Sequence, residues 1–295
     1  MKASLLVRRR PVPGQERVWA RGQRASRRWA IRGAVVGVVC ALVAFAPATW
    51  LARVVNDASG ERLLLADARG SVWSGSAVAV LQGGPGSRDS AVLPGRLQWR
   101  LMPAWGGMAL HLRQACCLQG ELSLALQPGW QGWQRPSLQL QVPARPAGLG
   151  QWPARWLAGL GTPWNTLQLG GMLHLATPGL ALTLASGHTQ FSGALDVQLL
   201  NASSRISAID PLGSYRLALR SGLTPPGAAA SAAPTTLALD TLDGALRLSG
   251  SGQWGATGLR FRGEARAAEG QEAGLTNLLN IIGRRQGALS VISIG

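Results

Sequence analysis

Leu195-Asp196-Val197-Gln198-Leu199 alternates apolar and polar side chains without a break. Successive side chains on a strand point to opposite faces, so this stretch buries one face and wets the other. The same period of two appears before it, in Leu97-Gln98-Trp99-Arg100-Leu101, Leu122-Ser123-Leu124-Ala125-Leu126 and Leu138-Gln139-Leu140-Gln141-Val142. It continues after it, in Leu246-Arg247-Leu248-Ser249 and Leu259-Arg260-Phe261-Arg262. Turn signals part these runs, at Gly83-Gly84-Pro85-Gly86, Gln127-Pro128-Gly129 and Thr177-Pro178-Gly179. Short alternating strands with such breaks predict antiparallel sheet with one packed and one solvated face. A glycine, one residue and an alternating strand recur at Gly120, Gly171, Gly193 and Gly244. Their uneven spacing reads as successive hairpins, not as a solenoid repeat. The expected fold is mainly β, a curved antiparallel sheet or a two-sheet sandwich.

Helix is scarce. Residues 151–160 suit a short helical turn between two strand-rich halves, about 53–150 and 161–295. Within 271–285, Leu275, Leu278, Leu279 and Ile282 share one helical face. Arg284 and Arg285 then fall at that helix's C-terminal end, where cations favour the macrodipole. A last apolar strand follows over 289–294, and 222–234, rich in Ala and Pro, reads as a mobile loop.

The N-terminus is of a different kind. Residues 33–52 carry no charge, and the 32 residues before them hold ten basic groups and one acid. About 20 apolar residues suffice for a membrane-crossing helix, and the basic flank marks the cytoplasmic side. The expected organisation is a basic cytoplasmic tail at 1–32, a transmembrane helix at 33–52, and a β-rich domain at 53–295 across the inner membrane. Trp29 and Trp50 bracket the span as interfacial anchors. The tail has too little apolar material for a core and is expected to lack structure. It contributes more than half of the net charge of +16, so the basic balance reflects topology more than nucleic acid binding. Cleavage after Ala44-Phe45-Ala46 is disfavoured by Pro47 at the next position. Ser26-Arg27-Arg28 loosely resembles a twin-arginine export signal, but no cofactor motif follows it.

Little in the chain points to catalysis. It contains no G-x-S-x-G elbow, no HExxH and no P-loop. His111 and His174 lie between leucines on strands and should project to the polar face, and His188 falls in a turn. Gly250-Ser251-Gly252-Gln253-Trp254-Gly255 matches G-x-G-x-x-G in letters, but strands flank it on both sides, so it reads as a glycine-rich hairpin. Cys40 lies in the span, while Cys116 and Cys117, as neighbours on a strand, should point apart, one buried and one exposed or paired between chains. No catalytic residue, cofactor or metal site is assigned. Of twelve tryptophans, Trp73, Trp99, Trp164 and Trp254 are expected to fill the core. Trp105, Trp130 and Trp133 fall in loops, where a partner surface would favour them.

The C-terminal stretch from Leu278-Leu279-Asn280-Ile281-Ile282-Gly283 to Ser293-Ile294-Gly295 resembles the end of protein N of the type II (general) secretion pathway. Gly70–Gly75 (GSVWSG), Leu93–Trp99 (LPGRLQW) and Gly161–Leu167 (GTPWNTL) agree with that family in order. So do Asp210–Leu217 (DPLGSYRL) and Gly258–Arg266 (GLRFRGEAR). The arginine tail is longer than the family's, and the Cys116-Cys117 pair belongs to none of its motifs. The resemblance implies an inner-membrane-anchored, non-enzymatic scaffold of the secretion machine. Its periplasmic domain would contact the secretin or inner-membrane platform components, with Arg284, Arg285 and Gln286 as the expected partner contact. The rival is a membrane-tethered lipid-binding or lipid-transfer groove, which an uncovered apolar sheet face would distinguish.

Overall fold

The computed structural model describes residues 13–130, 136–185, 188–221, 234–255 and 258–295. Residues 1–12, Trp133 and all but the last residue of the loop expected at 222–234 lie outside the described residues, as do the side chains of Trp130 and His188. Met1–Ala46 and Pro47–Gly295 are two compact units.

The first unit holds α1 (Pro13–Ala44). The arginine-rich segment expected to be unstructured is thus helical from Pro13. Proline suits a helix's first position, and Arg, Ala, Gln and Glu propagate it well. The unbroken helix expected over 33–52 does not form. Proline lacks the N–H that would continue the ladder, and its ring clashes with the carbonyl four residues back. Pro47 accordingly caps a second helix, α2 (Ala48–Ala58), in extended conformation. Among the described residues no helix is long and apolar enough to cross a membrane.

The second unit is built on strands. β1 (Leu63–Gly70), β2 (Ser74–Gln82), β3 (Ser90–Val92) and β4 (Leu97–Ala104) begin it. β5 (Gly107–Gln114), β6 (Leu122–Trp130), β7 (Pro136–Val142) and β8 (Arg145–Pro153) follow. A 3₁₀ helix (Ala154–Leu160) and the single turn α3 (Trp164–Leu167) then lead to the longest strands, β9 (Leu169–Ala185) and β10 (His188–Ser204). β11 (Gly213–Ser221), β12 (Thr235–Gly244), β13 (Leu246–Gly255) and β14 (Gly258–Ala267) continue the meander. α4 (Glu272–Ile282), β15 (Arg284–Gln286) and β16 (Leu289–Ile294) complete it.

These strands form one open sheet in the order β1-β2-β4-β5-β6-β7-β9-β10-β11-β12-β13-β14-β16-β15, with β3 beside β2 and β8 beside β9. Each pairing is antiparallel, and almost every strand pairs with the next in sequence, so the sandwich alternative falls away. β9 is the junction. Its first half pairs with β8, its second half with β7, and its whole length with β10. Thr177 sits where β9 changes partner. Fully buried, its hydroxyl donates to the Ala194 carbonyl at 2.5 Å and accepts from the Gly179 N–H at 3.0 Å.

Two buried clusters sit toward the two ends of the sheet. In the first, Ala48 and Ala52 of α2 pack with Leu65, Ala77, Trp99 and Cys117. Trp99 lies so close over Gly75 that a Cβ there would stand 2.5 Å from the ring, and its indole N–H reaches the Val72 carbonyl at 3.1 Å. In the second, Leu275, Leu278 and Leu279 of α4 pack on Tyr215, Leu246 and Ala265, as their helical spacing predicts. Ser290 fastens this helix to β16, donating to the Leu279 carbonyl at 2.7 Å.

Several side chains depart from expectation. α4 stops at Ile282 and Gly283 is extended, so Arg284 and Arg285 stand on β15 and do not cap the helix. Trp164 and Trp254, expected in the core, are exposed, because Trp164 heads a lone helical turn and Trp254 ends a hairpin strand. Cys117 is buried and Cys116 exposed, as expected, but they occupy a tight turn after β5 and not a strand, and they are bonded to each other. Gly250 and Gly252 are extended within β13, as a hairpin reading requires. A Cβ at Gly250 would stand 2.5 Å from the Phe261 ring, so glycine makes room for the aromatic.

If α4 is held through Leu275, Leu275→Ala should lower the unfolding free energy of the full chain by about 2–5 kcal/mol in a urea titration. On the exposed side of the same helix, Ile281→Ala should change it by no more than about 0.5 kcal/mol.

Candidate functional site

The sheet's two faces differ in chemistry. Residues directly opposite on paired strands share a face. Leu110 faces Leu124, Leu126 faces Leu140, and Leu140 faces Leu182, which in turn faces Phe191. Beyond β10, Val197 faces Leu217 and Leu217 faces Leu239. One apolar face therefore runs across the whole width. α2 and the 3₁₀ helix cover it at one end and α4 at the other. Between them Leu126, Leu140, Leu182 and Leu219 join neither cluster and stay half-buried, and Leu138 and Leu184 are 43% and 40% exposed. Among the described residues nothing covers the middle of the apolar face.

The opposite face is polar, and its carboxylates are gripped by arginines. Asp196 accepts from Arg216 at 2.8 Å and from Arg220 at 2.9 Å. Partial burial raises its carboxyl, but the bonds from Arg216 and Arg220 outweigh that and hold it below the usual range. Arg96 and Arg69 lower Asp67 in the same way. Glu121 is lowered by its bond from Arg113 against the cost of desolvation, with help from His111. Tyr215 is the reverse case. Burial pushes its phenol up, and its hydroxyl donates to the Leu246 carbonyl at 3.0 Å.

One cluster has the residue types of a hydrolase. Ser123 Oγ lies 3.0 Å from His111 Nδ1, and Glu121 Oε1 lies 2.5 Å from the same nitrogen. A nucleophilic triad needs its hydroxyl and carboxylate on opposite ring nitrogens. Sharing one nitrogen, these residues form a surface hydrogen-bond cluster and cannot relay a proton from the serine to a carboxylate-held ring.

A cleft of about 640 Å³ opens where α3 and the 3₁₀ helix meet the start of β9 and the end of β10. Polar side chains line it: Asp89, Arg155, Asn165, Gln168, Arg205 and Asp210. Asn165 donates to Asp89 at 2.9 Å and Arg205 to Gln168 at 3.1 Å, so much of the lining is already satisfied internally. Among the described residues no nucleophile–base pair faces it.

The residues singled out from sequence are widely dispersed. Trp29 is 71% exposed on α1, with the Arg32 guanidinium 5.4 Å from its ring centroid. Trp50 is exposed on α2, which packs on the sheet through Ala48 and Ala52. Arg284 and Gln286 share one face of β15 and Arg285 takes the other, where its Nε donates to the Gly287 carbonyl at 2.7 Å. All three are exposed, on an edge strand. Trp105, at the tip of the β4–β5 hairpin, is fully exposed. What the sequence reading left undecided is the opening in the apolar face.

Comparison with known families places the chain. The family model for "Type II secretion system (T2SS), protein N" matches residues 61–291, which spans the sheet from just before β1 into β16. No curated protein and no solved structure matches the chain.

The Asp196 pairs make a pH-dependent contribution. Asp196→Asn should cost about 1 kcal/mol at neutral pH. Because the native carboxyl titrates below its unfolded value of about 3.9, that contribution is present above this value and is lost as pH falls through the native one. The gap in urea midpoint between wild type and variant should hold steady down to about pH 5 and shrink steadily as pH falls below the unfolded value.

Proposed function

The chain belongs to the type II secretion protein N family, and we propose that it is a non-enzymatic scaffold of that machine. It is anchored in the inner membrane and contacts other secretion components in the periplasm. The single observation that carries this reading is the architecture within the family match: one broad open sheet with two chemically distinct faces. Such a sheet offers area for contact.

The anchoring is supported by α1. Residues 33–44 carry no charge and are exposed on every side of the helix. A helix that is apolar all round wants a nonaqueous surrounding. At 1.5 Å per residue this stretch rises about 18 Å, short of a hydrocarbon core of about 30 Å. Trp29, Ala30 and Ile31 lengthen it by a turn, and Arg32 can carry its charge outward beside Trp29. Local thinning of the bilayer accommodates what remains. The arginines preceding it set the N-terminus in the cytoplasm and the sheet in the periplasm.

The open apolar face favours a second reading, a membrane-tethered groove for lipid acyl chains. Exposed Leu138 and Leu184 beside half-buried Leu140 and Leu182 form an apolar patch that water contacts and that an acyl chain would cover.

Crosslinking of the full chain in cells, with mass spectrometry of captured molecules, separates the two. The scaffold reading predicts recovery of secretin or inner-membrane platform subunits. Recovery of phospholipid or lipopolysaccharide with no secretion subunit would replace it with the lipid groove.

A further inference from the structure

The polar face changes character at one end of the sheet. Arg247 on β13 stands directly opposite Arg266 on β14. Arg260 and Arg262 lie on the same face of β14, opposite Gln253 and Ser251. Arg284 on β15 joins that face, because it is opposite Val291, which is opposite Glu264. Five exposed arginines therefore share this end of the face with Glu264 in their midst and Asp240 of β12, opposite Ser249, at its border. Elsewhere on the sheet most arginines pair with acids, Arg69 and Arg96 with Asp67, Arg113 with Glu121, and Arg216 and Arg220 with Asp196, while among the described residues Arg100 on β4 enters no ion pair and Arg145 bonds to the Glu121 carbonyl. Among the described residues none of the five enters an ion pair, and Glu264 enters none either.

Like charges directly opposite on neighbouring strands destabilise a sheet. The fold does not require them, since Ser249, Ser251 and Gln253 fill equivalent outward positions on β13. We propose that this face docks an acidic, extended segment of another secretion subunit, lying along β14. This rests on the reading that the chain assembles with such subunits.

Spacing and sign identify the partner. Alternate residues on a strand are about 6.8 Å apart, and an extended peptide repeats its side chains at the same interval. Arg260, Arg262, Glu264 and Arg266 thus present a row reading basic, basic, acidic, basic. A bilayer of anionic headgroups would set negative charge against Glu264 as well as against the arginines. A peptide can match the row, with acids opposite the three arginines and a cation opposite Glu264. Arg247 and Arg284 flank the row and widen its positive field.

The test uses the full chain in detergent with three probes. The first is a synthetic peptide alternating threonine with glutamate, glutamate, lysine and glutamate, and the second is the same composition scrambled. The third is vesicles of phosphatidylglycerol. The ordered peptide should bind at least about tenfold tighter than the scrambled one, as expected when several exposed ion pairs form in register. Arg262→Gln with Arg266→Gln should abolish that preference without lowering the melting temperature, and added salt should weaken binding. Glu264→Lys should shift the preference to a peptide whose lysine is replaced by glutamate. Equal binding of ordered and scrambled peptides, indifference to the arginine substitutions, or binding to the vesicles alone would overturn the proposal. In cells, if the wild-type chain and the double variant copurify equally with secretion subunits, this docking face is rejected and the scaffold reading stands. If the wild-type chain copurifies with none, the scaffold reading itself fails.

Discussion

The backbone ladder between β9 and β10 is the constraint on which the rest of this structure depends. It runs from His188 opposite Ala185 to Ser204 opposite Leu169, the longest pairing in the sheet. Because β9 pairs with β8 along one half and β7 along the other, every hairpin before it is in register with every hairpin after it. Irregularities between Ala194 and Asp196 and between Leu200 and Ser203 interrupt the ladder without ending it. At the first, the Thr177 hydroxyl bonds to the Ala194 carbonyl and the Gly179 N–H.

A continuous ladder with no second layer has a chemical consequence. Alternation puts most apolar side chains of the meander on one face, but among the described residues helices cover it only toward the two ends. The two buried clusters therefore act as end-pieces, tying the sheet through Trp99 and α2 on one side and through Leu275 and Leu279 on the other. The middle is left with two exposed surfaces, one apolar and one polar.

Most of the sheet was legible in the sequence because period two is a strong local signal. Leu195–Leu199, Leu138–Val142 and Leu246–Ser249 all lie on strands with the expected faces, and Leu275, Leu278 and Leu279 lie on the expected helix face. The family resemblance was legible in the C-terminal segment and is supported by the match over 61–291. What was not legible depends on contacts distant in sequence. Alternation reports that a face is apolar, not whether anything covers it, so sheet and sandwich read alike. Composition made 33–52 look like one helix, and the break at Pro47 depends on a single residue. Arg284 and Arg285 read as helix caps until Gly283 turned the chain into β15. Arg247 and Arg266 are far apart in sequence, and only the β13–β14 register brings them opposite each other.

The most direct test places a single cysteine at Leu182 on the apolar face or at Gln139 on the polar face of the full chain, with the native cysteines replaced. The cells have a permeabilised outer membrane, an intact inner membrane and no other secretion subunits. A membrane-impermeant maleimide should label both positions. Labelling of Gln139→Cys alone would mean that a second layer covers the apolar face. Labelling of neither until the inner membrane is breached would place the sheet on the cytoplasmic side and contradict the account.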